Sequence, residues 1–297
     1  MKQLLPYSFL VKWNLTEIKR EKLQEIRIRC GQPICLTYNG VEEMLEECVV
    51  EKSDIEYIFR WLCEYGVYAY QEEMEKGYIT IQGGHRVGIG GQMTMDGSGQ
   101  LIRTKYISSL LIRVSHDVIG IGEKVLDKIY VDGYLRNTLI LSPPGCGKTT
   151  LLRDLVRSVS NGNKYSAGLN VSLVDEREEL AAVYMGIPTM DVGRRTDIIS
   201  GCEKSSAMER CLRALGPEVV AVDEIYNEKD MEALKRLHGC GCTVLATHHA
   251  NSFEEFLKKT FGREVVEQRI FSRFVVLGKK NTDFCITGIY DENGDLI

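Results

Sequence analysis

The sequence predicts an α/β protein in two parts: a smaller N-terminal α+β domain with an antiparallel sheet, residues 1–130, and a C-terminal domain, residues 131–297, with a mostly parallel, helix-covered sheet. Three observations carry this prediction. Period-2 patterning dominates the first part, short continuously apolar runs alternate with helical stretches in the second, and a glycine-bearing loop joins one such run to a helix. The junction between the parts is expected near Asp127 to Gly133.

In the first part the alternating runs are Ile26 to Arg29, Ile34 to Tyr38, Tyr78 to Ile81 and Leu110 to Val114, with turn residues such as Asp96-Gly-Ser-Gly99 between runs. A helix is expected from Asp54 to Glu64, because Ile55, Ile58, Phe59 and Leu62 recur at helical spacing and Ser53 precedes them as an N-cap. In the second part Thr138 to Leu141, Val171 to Val174, Val219 to Val222, Thr243 to Ala246 and Phe274 to Leu277 lack alternation, as strands buried on both faces do. Helices are expected between them, at 148–159, 205–215 and 228–238.

Composition bounds the function. With 297 residues, 44% hydrophobic and 27% charged, the chain has the make-up of a soluble protein with two cores. No apolar run approaches the ~18 residues of a membrane span, and the opening Met1-Lys-Gln-Leu-Leu-Pro-Tyr7 has no extended apolar region, so a cytoplasmic protein without a span is expected. A net charge of -5 argues against broad binding to nucleic acid or to an anionic membrane, leaving nucleotide and protein as the expected partners. The ten cysteines are scattered, and the close pair Cys240-Gly-Cys242 lacks the second pair a zinc site needs. Most are therefore expected to be small buried residues in a reducing compartment.

The segment Ser142-Pro143-Pro144-Gly145-Cys146-Gly147-Lys148-Thr149-Thr150 lies between an apolar run and a helix, the context of a phosphate-binding loop. Gly145 and Gly147 remove side chains so that backbone N–H groups can converge on a polyphosphate, and the helix N-terminus adds partial positive charge. Lys148 is expected between the β- and γ-phosphates of ATP, and the Thr149 hydroxyl on Mg2+. The first glycine of the usual pattern is Ser142 here. Val219-Val-Ala-Val222 ends in Asp223, read as the Mg2+-side acid acting partly through water, and Glu224, read as the general base. Val171 to Val174 likewise ends in Asp175 and Glu176, candidates for orienting water or Mg2+ in support of Glu224. Thr243 to Ala246 leads into Thr247-His248-His249, where Thr247 or His248 is a candidate γ-phosphate sensor, with His248 favoured over His249. Hydrolysis also needs an arginine. Arg177 and Arg195 are candidates together with Arg194, Arg213, Arg86, Arg103 and Arg113, and spacing does not choose among them.

Taken in order, the phosphate loop, the Asp175-Glu176 segment, Leu212 to Glu224 and Thr243 to Asn251 resemble the Walker A, Asp, Walker B and His boxes of the secretion ATPase superfamily of type II and type IV systems. Within it the chain looks most like the mother-cell sporulation ATPases of endospore-forming bacteria. That likeness is carried by Glu25-Ile-Arg-Ile-Arg29 with Gly31 and Pro33, Gly83-Gly-His-Arg-Val-Gly88, Val174-Asp-Glu-Arg177, Gly186-Ile-Pro188, Asp191-Val-Gly193 and Arg195-Thr-Asp197. The resemblance implies a RecA-like domain that hydrolyses ATP to ADP and phosphate, a hexameric ring, and nucleotide between domains and between subunits. It also implies a motor in the mother-cell cytoplasm, docked through membrane-embedded components of a secretion-like channel to the forespore. Two departures stand out: many members have Gly-Glu where this chain has Asp223-Glu224, and the four-cysteine zinc element of some type II members is absent. Two other readings remain open, a nucleic-acid-dependent ATPase of the same class and a nucleotide-gated scaffold with little turnover.

Overall fold

Ile26 and Ile28 are buried while Glu25, Arg27 and Arg29 between and beside them are not, and this two-residue period builds the first sheet. The computed structural model describes residues 4–16, 22–75, 77–95, 101–280 and 283–297. Its first unit comprises α1 (Tyr7–Lys12), β1 (Leu23–Arg29), β2 (Pro33–Tyr38), β3 (Val41–Val49), α2 (Lys52–Leu62), α3 (Gln71–Glu75), β4 (Tyr78–Ile81), β5 (His85–Met95) and β6 (Leu101–Arg113). The six strands run antiparallel in the order β3-β2-β1-β6-β5-β4. Register is set by apolar matching, since Ile26 lies opposite both Leu36 and Ile112. Its core gathers Ile26, Ile28, Ile34, Leu36, Val87 and Ile112 with Ile55, Ile58, Phe59 and Leu62 of α2.

The helix expected at 54–64 starts two residues earlier and stops two earlier. Its N-cap is Glu51 rather than Ser53, because Asp54 reaches back to accept the Glu51 N–H at 2.9 Å. The left-handed residues Glu64 and Tyr65 follow its end. β3 and β5 carry no clear apolar alternation: nearly every β3 side chain is exposed, and β5 is interrupted by Gly88, Gly90 and Gly91. The turn at Asp96-Gly-Ser-Gly99 lies outside the described residues.

The second unit begins with α4 (Glu123–Ile129) and the short pair β7 (Tyr130–Val131) and β8 (Tyr134–Leu135). Along the chain there follow β9 (Thr138–Ser142), α5 (Lys148–Asn161), β10 (Val171–Asp175), a two-stranded sheet of β11 (Val183–Tyr184) and β12 (Ile187–Pro188) that falls mostly in the first unit, β13 (Thr196–Ser200), α6 (Lys204–Ala214), β14 (Val219–Val222), α7 (Glu228–Gly239), β15 (Thr243–His249), α8 (Phe253–Lys258), α9 (Thr260–Glu267), β16 (Arg273–Lys280) and β17 (Asp283–Asp291). The large sheet has the order β13-β10-β14-β15-β9-β16-β17, parallel throughout except for the antiparallel edge strand β17. One face packs Ile140, Leu173, Ala221 and Leu245 on α5 through Leu151, Leu152 and Leu155. The other packs Leu141, Val222, Val244 and Ala246 with Met208, Leu234 and Phe256 of the helices beyond. Chain contacts divide the molecule at His116 and Asp117, with Tyr184–Thr189 counted in the first unit. Residues 117–130 fall in the second unit, whereas sequence patterning puts the change near 130, because Val125, Leu126 and Ile129 of α4 pack into the core around α5. Five of the ten cysteines are buried, and Cys30, Cys202 and Cys240 are exposed. Among the described residues no helix is long and apolar enough to cross a membrane.

Candidate nucleotide site

Every residue of β9 is buried, so the chain leaves the sheet at Ser142 with little freedom and must turn sharply to start α5 at Lys148. Gly145 and Gly147 make that turn with φ of 68° and 82°, left-handed values that strain a residue bearing a Cβ. Ser142 stands fully buried, where the usual pattern has glycine, and its hydroxyl donates to the Pro143 carbonyl at 2.8 Å. Pro143 and Pro144 lead into the turn, Cys146 is buried beneath it, and Thr150 is half-buried in the first turn of α5.

Lys148 and Thr149 reach the end of β14. Thr149 Oγ1 donates to Asp223 Oδ2 at 3.1 Å, and Lys148 Nζ lies 2.7 Å from Glu224 Oε1, with both partners of this pair largely buried. Glu224 also meets Arg177 Nη1 at 2.6 Å and His249 Nε2 at 3.0 Å. Burial pushes the Glu224 carboxyl up, but Lys148, followed by Arg177 and His249, outweighs it and holds the group below its ordinary value. The Thr247 hydroxyl donates to Asp223 Oδ1 and accepts the Glu224 N–H at 2.8 Å. Glu224 is itself left-handed, with φ of 54°.

The alternation of β15 sorts the two histidines. Leu245 belongs to the α5 face and Ala246 to the other, so Thr247 and His249 return to the α5 side where the acids lie, and His248 does not. Of the pair, His249 contacts this cluster, whereas His248, favoured from sequence, bonds to the Ile225 carbonyl. His248 is buried, stacked on Phe261 at 5.2 Å and edge-on to Phe256, with Nδ1 bonded to the Ile225 carbonyl at 2.7 Å. Burial lowers its pKa below the usual histidine value, so its neutral form is favoured.

Asp175 also departs from expectation. Its carboxylate is almost fully buried and accepts the N–H groups of Glu179, Leu180 and Ala181 at 2.9, 3.0 and 2.8 Å. Burial raises its pKa despite these donors. Both oxygens are thus engaged in closing the turn after β10, which Arg153 of α5 braces by donating to the Glu179 and Leu180 carbonyls at 2.6 Å each. Glu176 pairs with Lys204 Nζ at 2.9 Å, and the same nitrogen donates to the Glu224 carbonyl at 2.9 Å. Of the arginines, Arg177 joins the cluster. Arg195 stands before β13, at the opposite end of the parallel strands from the loop, bonded through Nη1 to the Ser160 carbonyl. Arg213 pairs with Glu209 on the exposed face of α6, and the Arg194 N–H donates to Asn161. Arg86 stacks on Tyr78, Arg113 lies 3.6 Å from Glu25 and the side chain of Arg103 is outside the described residues, all within the first unit.

Three residues of the site, His249, Arg153 and Lys204, are not distinguished by the motifs visible in the sequence. His249 follows from strand parity once the β15 register is known, whereas Arg153 and Lys204 sit in ordinary amphipathic helices and give no signal. The donor set suits a magnesium nucleotide: a hydroxyl and a carboxylate in contact, a lysine at the helix start and a loop whose glycines leave its N–H groups uncovered. No group of three or more metal-ligating His, Cys, Asp or Glu side chains occurs among the described residues.

Comparison with known proteins agrees with this architecture. Residues 2–297 match the family described as Sporulation stage III, protein AA. Stage III sporulation protein AA of Bacillus subtilis (strain 168) is 34% identical over 307 aligned residues, covering 99% of this chain and 95% of that protein. Among solved structures, the pilus retraction motor PilT with bound ADP superposes with a TM-score of 0.63 at 15% identity, over 95% of this chain and 81% of that one. The ATPase DotB of Yersinia pseudotuberculosis gives 0.62 at 15% identity, over 95% and 79%. These two show a shared fold, while the family match and the Bacillus relative place the chain more narrowly: it belongs to the stage III sporulation protein AA family.

Proposed function

We propose that the protein is an ATP-hydrolysing motor that works as a ring of copies, hexameric by analogy with its superfamily. The ring would dock from the mother-cell cytoplasm on membrane-embedded components of a secretion-like channel to the forespore. The observation that carries the enzymatic part is the direct contact of the two first residues of α5 with the two acids ending β14.

In this reading Lys148 and the N–H groups of residues 145–149 bind the phosphates. Thr149 and Asp223 would hold Mg2+, which when bound neutralises phosphate charge. Glu224, released from Lys148, accepts a proton from the attacking water, and His249 and Thr247 fix its direction. Arg177, over half exposed and already on Glu224, is the cation within this chain best placed to turn towards a γ-phosphate. The sporulation role rests on family membership, and no observed site identifies the cargo.

The test is ATP binding and turnover in the purified full chain. Lys148→Ala should lose ATP binding, and Glu224→Gln should keep it while hydrolysing at least ~100-fold more slowly. Equal hydrolysis by Glu224→Gln and the parent would remove the base role. Mass measurement with and without ATP, together with activity on dilution, tests the ring, and a stable monomer with undiminished activity would sink it. Stimulation by single-stranded DNA would favour a nucleic-acid-dependent enzyme instead.

A further inference from the structure

We infer that Lys204, the first residue of α6, is a positioning residue for Glu224, holding the peptide of the strand-end acid in the conformation that turnover requires. This rests on the proposed role of Glu224 and extends it to a residue on a different element.

Glu224 is held at both ends of its own backbone. Its N–H goes to the Thr247 hydroxyl at 2.8 Å, and its carbonyl receives Lys204 Nζ at 2.9 Å. Between these two bonds the residue has φ of 54°, a left-handed conformation disfavoured for a residue that bears a Cβ. A relaxed φ would swing the Cα–Cβ bond, and with it the carboxylate that now meets Lys148, Arg177 and His249. Thr247 belongs to the neighbouring strand and anchors one side. Lys204 is the anchor on the other.

Lys204 is built for one geometry. It is 2% exposed, and its ammonium divides between the Glu224 carbonyl, Glu176 Oε2 at 2.9 Å and the face of Tyr226, 4.5 Å from the ring centroid. A buried ammonium is costly unless paired, and here the pairing is with the acid that follows β10. Glu176 thus shares the Lys204 ammonium with the Glu224 carbonyl. The bland alternative is a satisfied buried lysine that only ties α6 to the sheet. The two differ in what they change: a tie alters stability, whereas a positioning contact alters kcat at constant nucleotide affinity.

The experiment compares ATP turnover, KM, binding of a fluorescent ADP analogue and Tm for Lys204→Met and Lys204→Gln in the full chain, alone and combined with Glu224→Gln. Lys204→Met should lower kcat about 10- to 100-fold, since misplacement by ~1 Å costs of that order, with KM and analogue affinity within about 3-fold of the parent. Lys204→Gln, which keeps a shorter donor, should fall between. In the Glu224→Gln background neither should lower kcat more than about 2-fold further, as expected for residues acting through one another. Parental kcat in both single variants, or KM rising in step with the fall in kcat, overturns the inference. If Lys204→Met does not fold, Lys204→Gln decides, and failure of both to fold makes Lys204 a folding residue and also overturns it. Parental turnover of Glu224→Gln would instead remove the proposed role of Glu224, whereas an impaired Glu224→Gln beside parental Lys204 variants removes only this inference.

Discussion

Two strands of the large sheet end in almost the same words, Val-Ser-Leu-Val-Asp175-Glu176 at β10 and Val-Val-Ala-Val-Asp223-Glu224 at β14, and they lie side by side in parallel register. The path of the chain beyond each strand separates them. After β10 the chain turns back so that three N–H groups converge on Asp175, and the acid becomes a buried staple. After β14 the left-handed Glu224 diverts the chain, leaving Asp223 to the Thr149 and Thr247 hydroxyls and Glu224 to a set of cations. An acid at the end of an apolar strand is thus an opportunity, and its use depends on whether local N–H groups consume it first.

The contrast can be broken most sharply by exchange. Asp223→Ala should lower ATP turnover by about 100-fold or more while leaving urea stability within ~1 kcal/mol of the parent. Asp175→Ala should cost ~3 kcal/mol in the same melt, because it leaves several buried N–H groups without an acceptor. Reversal of the two phenotypes would mean that the roles are assigned to the wrong strand. A smaller effect sharpens the comparison on β15. His249→Ala should reduce kcat about 10-fold with little change in Tm, and His248→Ala should lower Tm through lost packing on Phe256 and Phe261. Unchanged kcat in His249→Ala would detach it from Glu224.

The smallest expected effect is in pH. Folding depresses the pKa of His248, so below the ordinary histidine value the unfolded chain takes up a proton that the folded chain resists. Stability linked to His248 is thus complete above about pH 6.5 and declines as pH falls below it. Glu224, also depressed, keeps its linked stability until pH falls to its ordinary value of 4.5 and below. Between pH 7.5 and 5.5 the Tm decrease should be smaller in His248→Phe than in the parent, and an equal decrease would show that the proton goes elsewhere.

Much of the fold was legible because its strands are written as apolar words. The five runs from Thr138 to Leu277 all became strands of one sheet, since a strand buried on both faces tolerates little else. β3 and β5 were not legible, because exposed glutamates and glycines hide the alternation that burial would have imposed. Within the site, Lys148 and Thr149 meet Glu224 and Asp223 because both motifs follow parallel strands, β9 and β14, at the same edge of the sheet with only β15 between them. The choice between His248 and His249 depends on which face Leu245 takes, a matter of register that two adjacent histidines do not declare. Lys204 is invisible for a different reason. Its partners come from the ends of two other strands, and nothing in Glu203-Lys204-Ser205 marks an ammonium that will be buried.

The Lys148–Glu224 pair makes the protein its own competitor for nucleotide. On the proposed reading, phosphate must take the ammonium from a buried carboxylate 2.7 Å away, so part of the binding free energy goes into exchange and the apparent affinity is lower than the loop alone would give. The same exchange sets an order of events. With no phosphate on Lys148 the carboxylate stays neutralised and is a poor proton acceptor, and it becomes available only after nucleotide has arrived. On that reading the interlock would keep Glu224 idle as a base in any copy of the chain that lacks nucleotide.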